Sequence, residues 1–239
     1  PASTIMKTEK MKLLLLAANP IDTAPLQLDE EARSIDAALQ MSRLRDYIQL
    51  VSHWAVRAED IVELLLRHRP LFIHFSGHGS SSNRIVLKDM AGQGKEAPEE
   101  ALADMLRTAN KTVKCVFLSA CYSEAQAVLI ADSVPAVIAV SGQINDELSI
   151  AFAKAFYLAI GSGETIEAAY TLASAEARMT ATDGSQNIRL FGDIAAKNFR
   201  LTANDSQADS GLHISNSSVK GFVQMNYGDV SMTFNEDSD

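Results

Sequence analysis

Hydrophobic residues recur along this chain in two rhythms. Short, mostly apolar runs alternate with longer stretches where apolar residues return every three or four positions. The runs are Met11 to Ala18, Leu71 to Phe75, Val113 to Leu118 and Ala136 to Val140. Runs of this length, closed by small or polar residues, predict buried strands, and Ile48 to Val56 is a further strand candidate. Between them, Leu28, Ala32, Ile35 and Leu39 are spaced to share one helical face. Glu59 to His68 reads as a helix closed by Pro70, and Pro98 to Ala109 as one with proline at its start. Further helices are predicted from about Ser123 to Ala131 and from Thr165 to Met179. A third, capped by Asn145, carries Leu148, Phe152, Ala155 and Ala159 and stops at Gly161. Arg84 to Lys88 reads as a short strand. Strand and helix alternating at this spacing predict an α/β fold, an open and mostly parallel sheet with helices on both faces.

In such a sheet, chemistry collects beyond the carboxyl ends of the strands. Two of those ends carry reactive side chains. Leu71 to Phe75 stops at Ser76-Gly77-His78-Gly79, and Val113 to Leu118 stops at Ser119-Ala120-Cys121-Tyr122-Ser123. A cysteine with a histidine close in space is the minimal equipment for thiolate attack on an acyl group. Cys121 is the candidate nucleophile. A strand-to-helix turn there would offer it backbone N–H groups and a helix dipole that favour the thiolate. His78 is the candidate base, returning its proton to the leaving amine. The glycines at 77 and 79 suit unusual backbone angles and close approach of substrate. Cys115 lies mid-strand and reads as inert core. His74, also mid-strand, reads as a hydrogen-bonded core histidine, because an H-x-x-x-H metal pair needs a helix face. His53 and His68 read as structural or surface groups. No metal site and no cofactor are expected, and no phosphate-binding glycine motif is present.

Phe75-Ser76-Gly77-His78-Gly79 and Leu118-Ser119-Ala120-Cys121-Tyr122-Ser123 together resemble the CHAT domain, a prokaryotic branch of the caspase, separase and gingipain group of cysteine peptidases. The resemblance takes in Leu14 to Pro20, Leu28 to Glu31 and Phe152 to Gly163, roughly Lys12 to Asp193 in all. It implies a caspase-like sheet and a Cys121–His78 dyad without a third side chain. It also implies an oxyanion hole formed by the backbone N–H groups of Gly79 and Cys121. In separases an acidic residue in the segment after the next strand recognises a basic residue before the cut. Carried onto Gly142 to Leu148, that implies Asp146 as a substrate-binding residue. Dipole compensation in a helix first turn is the alternative for Asp146, and Gly142-Gln143 stands where the family often has Trp.

Charge narrows the partners. A formal net charge of −9 with no basic run argues against nucleic acid. Two cysteines near one strand do not form a disulfide framework and suit a reducing, cytoplasmic setting. Lys10-Met11-Lys12 before an apolar stretch imitates a signal peptide, but that stretch is too short for a signal core or a bilayer span. It is expected to be the first core strand, with no membrane insertion. The start at Pro1 and not Met reads as trimmed or as an expression remnant.

From about Thr202 the composition turns polar. The expected organisation is a peptidase domain over residues 12–200, a linker over 201–217 containing His213, and a short β-type appendage over 218–235. Val219 to Phe234 alternates apolar and polar residues around a break at Gly228-Asp229. Val223-Gln224-Met225 resembles the core of amyloid-signalling motifs of the RHIM type, which implies self-assembly or recruitment by an upstream sensor. An ordinary hairpin at a sheet edge is the alternative. The whole chain is expected to be a cysteine endopeptidase effector cleaving a partner protein, in prokaryotic defence or programmed death. The alternative is a catalytically silent CHAT scaffold that binds partner proteins.

Overall fold

A computed structural model of the chain describes residues 10–109, 111–180, 187–203, 205, 212–214, 222–226 and 229–233. Six strands form the main sheet. They are β1 (Met11–Ala18), β2 (Ile48–Trp54), β3 (Phe72–Gly77), β6 (Cys115–Ser119), β7 (Ala136–Val140) and β8 (Ile188–Gly192), in the spatial order β2-β1-β3-β6-β7-β8. Pairing is parallel except between β7 and the edge strand β8. Between β3 and β6 the chain makes a small hairpin, β4 (Val86–Lys88) with β5 (Gly94–Glu96). The α/β architecture expected from the sequence is therefore present. The antiparallel β8 was not foreseen, because Arg189 and the glycine at 192 leave its apolar run too short to read as a strand.

The pleat sorts the core into two halves. Along β1, Leu13, Leu15 and Ala17 join one hydrophobic cluster, and Leu14, Leu16 and Ala18 join the other. The first cluster is covered by α1 (Leu28–Met41), α5 (Asp146–Gly161) and α6 (Ile166–Thr180), with the short α7 (Ile194–Lys197) behind them. The second is covered by α2 (Asp60–His68), α3 (Glu99–Ala109) and α4 (Glu124–Ala131). Leu28, Ala32, Ile35 and Leu39 of α1 are all buried, as their spacing requires. Asn145 caps α5, its side-chain oxygen accepting from the N–H of Leu148 at 2.8 Å. Helix α2 ends at Arg69 in the left-handed region, immediately before Pro70.

From β1 the chain steps outward to β2, then back across to β3 on the other side of β1. The sheet therefore reverses direction between β1 and β3, and the carboxyl ends of those strands diverge into a crevice.

After the main sheet come β9 (Leu212–Ile214), β10 (Phe222–Asn226) and β11 (Asp229–Thr233), a three-stranded antiparallel sheet of their own. Among the described residues this small sheet shares no ladder with the six-stranded one. Strand β9, with His213, lies in the segment expected to be a linker. Gly228, Tyr227, Val219 and Phe234 lie outside the described residues. No helix among the described residues is long and apolar enough to cross a membrane.

Candidate active site

A cleft of about 460 Å³, open to solvent, lies beyond the carboxyl ends of β1, β3 and β6. His78, Gly79, Cys121 and Asp146, the four residues singled out from the sequence, all line it. Leu26, Gln27 and Glu31 form the wall that follows β1.

Cys121 is half-buried, whereas Cys115 is 1% exposed and its burial pushes that thiol far up. The chain turns sharply just after Cys121. Tyr122 has φ 56°, a left-handed conformation that costs energy for a side chain of this size, and its N–H bonds to the carbonyl of Gly142 at 3.1 Å. Ser123 then ties the turn down. Its hydroxyl donates to the Leu118 carbonyl at 3.2 Å and accepts from the Val140 N–H at 3.1 Å. Across the cleft the Ile144 N–H points at Sγ of Cys121, 3.4 Å away.

The glycine at 79 answers to space. A Cβ there would come within 1.6 Å of the Cys121 carbonyl oxygen, so the two strand-end loops touch backbone to backbone. Gly77 is similar, its missing Cβ lying 2.8 Å from the Ala18 carbonyl. Neither glycine has positive φ. The expectation of unusual backbone angles is thus corrected: these glycines serve close packing.

His78 presents Nε2 to the carbonyl oxygen of Ala24 at 2.8 Å. A carbonyl only accepts, so Nε2 carries the proton and a neutral ring keeps its lone pair on Nδ1. Asp146 sits in the first turn of α5 and accepts the Gln27 N–H at 2.9 Å through Oδ2. The connection from Ala24 to Gln27 therefore touches both the histidine and the acid.

Lining the inner part of the cleft is a polar cluster that the sequence reading missed, of Glu31, Ser76, Ser119 and Ser149. Glu31 is 4% exposed. Its Oε2 accepts the hydroxyl of Ser76. Its Oε1 accepts from Ser119 at 2.9 Å and Ser149 at 3.1 Å, and lies 3.3 Å from Nε2 of His74. The other ring nitrogen of His74 meets the hydroxyl of Tyr157 at 3.1 Å. Burial alone would raise the Glu31 carboxyl; the His74 imidazole and the hydroxyls of Ser76 and Ser119 outweigh it and hold it below the ordinary carboxylate range. Burial pushes the Tyr157 phenol up.

The CHAT domain family model matches residues 7–210. The chain belongs to the CHAT domain family. A relative of this CHAT domain is a Roc-COR-CHAT protease from an unknown prokaryotic organism, 24% identical over 178 residues. The alignment takes in 72% of this chain and only 17% of the relative's length. Among solved structures the fold is similar to a secreted C11 cysteine protease from Bacteroides thetaiotaomicron in complex with an irreversible peptide inhibitor. That match has a TM-score of 0.55 and 11% identity, and covers 77% of this chain and 66% of the other. Caspase-1 from Spodoptera frugiperda is similar with a TM-score of 0.50 and 11% identity, over 78% of this chain and 87% of its own. At these identities the structures speak for the fold: the caspase-like architecture expected from the sequence holds.

A signal for Glu31 was present in this CHAT domain's sequence. Glu31 stands three residues after Leu28 and four before Ile35, on the buried stripe of α1. A carboxylate on an apolar stripe asks for partners. Glu31 shares the first turn of α1 with Asp29 and Glu30, where the helix dipole by itself already favours acids. Ala24 left no signal, since it acts through its backbone.

Proposed function

We propose that this CHAT domain is a cysteine endopeptidase in which Cys121 attacks the scissile carbonyl and His78 manages the proton. The observation that carries this reading is the convergence of both side chains on one cleft, with the His78 tautomer set by Ala24. With Nε2–H held by that carbonyl, Nδ1 is the nitrogen free to take the thiol proton. As the thiolate adds to the carbonyl carbon, the oxygen gains charge. The N–H groups of Gly79 and Cys121, whose backbones touch, are the donors for it. The tetrahedral adduct then collapses, the C–N bond breaks, and His78 protonates the leaving amine. Water attacks the thioester with His78 again as base, releasing the acid and restoring the thiol. Asp146, in the same cleft, favours Lys or Arg before the cut.

The substrate is a partner protein, and the setting is prokaryotic defence or programmed death, carried over from the family resemblance. The relative's name speaks of a CHAT protease joined to other units, consistent with cleavage governed by a sensor. Labelling with peptide acyloxymethyl ketones tests the chemistry. Wild-type protein should be modified at Cys121 and Cys121→Ala should not. If Cys121 takes no label from any peptide ketone in the presence of the activating partner, the chain is a binding scaffold instead.

A further inference from the structure

We infer that Glu31 is a positioning residue that fixes the two strand ends bearing His78 and Cys121, an inference that rests on the peptidase reading above. Ser76 and Ser119 are register partners, and theirs is the last rung of the β3–β6 ladder. Beyond that rung no backbone pairing between these strands holds the segments that continue to His78 and Cys121. Each serine stands two residues before its reactive side chain. Strand side chains alternate, so a group that grips both serines acts on the face that leads to the cleft. Glu31 does so, with one carboxylate oxygen on each strand.

The same carboxylate reaches Ser149 on α5, whose hydroxyl is 2.6 Å from that of Ser119. Asp146 stands one helical turn earlier on that helix. Glu31 itself follows the connection that supplies Ala24 to His78 and Gln27 to Asp146. One buried group thus ties together every element that presents a cleft residue. An apolar side chain on this stripe would bury at lower cost, as Leu28 and Ile35 do. What it could not supply is the pair of directed acceptors for Ser76 and Ser119. A carboxylate accepts only, so both hydroxyls are held in a fixed sense.

The test uses the full chain with Glu31→Gln, Ser76→Ala, Ser119→Ala and the hydroxyl-keeping Ser76→Thr. Hydrogen exchange is read over residues 76–79 and 119–122 and compared with 72–75 and 115–118 of the same strands. We expect exchange to quicken at the two strand ends only. Peptide cleavage should show kcat reduced on the order of 100-fold, as misplacement of about 1 Å can cause, with KM within about threefold. Ser76→Thr should restore most of it. The single-hydroxyl variants keep the test open should Glu31→Gln fail to fold. Unchanged exchange at the strand ends, or loosening spread evenly along β3 and β6, overturns the inference, as does wild-type turnover in both serine-to-alanine variants. Should wild type neither cleave nor take the ketone, the peptidase reading falls, and exchange alone then decides whether Glu31 pins these ends.

Discussion

Nε2 of His78 lies 2.8 Å from the carbonyl oxygen of Ala24, a backbone group 54 residues earlier in the chain. This contact orients the imidazole without a carboxylate partner and leaves Nδ1, the nitrogen proposed to take the thiol proton, outside that bond. Nitrogen NMR of labelled protein, at a pH where the ring is neutral, should show His78 protonated at Nε2 and bare at Nδ1. Replacing His78 by Ala should lower kcat by roughly 100- to 10,000-fold, the usual range for a proton-transfer group. Cleavage by His78→Ala at the wild-type rate would remove it from the mechanism.

Asp146 offers a second measurement. A charge-assisted hydrogen bond contributes about 1.5–3 kcal/mol, roughly 10- to 100-fold in rate. Asp146→Ala should reduce labelling by Arg and Lys ketones by that factor and spare Leu ketones. Equal effects on both classes would return Asp146 to a purely structural task, holding the Gln27 N–H.

Gly79→Ala is expected to be more damaging than its size suggests. The added methyl would meet the Cys121 carbonyl oxygen at 1.6 Å, and neither backbone can yield without moving the cleft. Thermal unfolding should show a loss of about 1–3 kcal/mol, as overpacking commonly gives, while peptide cleavage is abolished. Full activity in this variant would show that the two loops are not held in contact during turnover.

Acid should destabilise the domain in two windows. Burial, the charge of His53 and the nearby Arg67 and Lys12 lower the pKa of His68 from 6.5. A lowered histidine favours folding only while neutral, so this contribution is intact above about pH 6.5 and is lost as pH falls through the folded value. His53→Gln, which removes the partner ring 2.9 Å away, should blunt that window. Glu31 is also held below its ordinary value. Its contribution is present above about pH 4.5 and is lost as pH falls further, through the folded value. Chemical denaturation across pH 2 to 8 separates the windows, and Glu31→Gln should erase the lower one. A midpoint independent of pH in wild type would contradict both assignments.

The terminal strands are proposed to act as a detachable assembly or recruitment switch, not as part of the peptidase core. Strands β9 to β11 pair among themselves. Deleting residues after Asn204 should leave the unfolding midpoint of the main domain unchanged and remove the response to an upstream sensor. The isolated segment should form fibres with strands roughly 4.7 Å apart. A segment that stays soluble and monomeric would leave an ordinary small sheet.

Sequence alone determined the layered α/β fold, because burial on both faces forces largely apolar central strands and covering helices carry an apolar stripe. It marked His78 and Cys121 as well, since a reactive side chain just past a buried strand lies where parallel sheets open. The edge strand β8 escaped it: a short run next to Arg189 gains its identity only by pairing with β7. What tertiary structure decided was how the cleft is held. Ala24 works through a carbonyl, which every residue carries. Glu31 works through hydroxyls on Ser76, Ser119 and Ser149, up to 118 residues away. No local pattern records such contacts, because they arise only when α1 and α5 settle on the same face of the sheet.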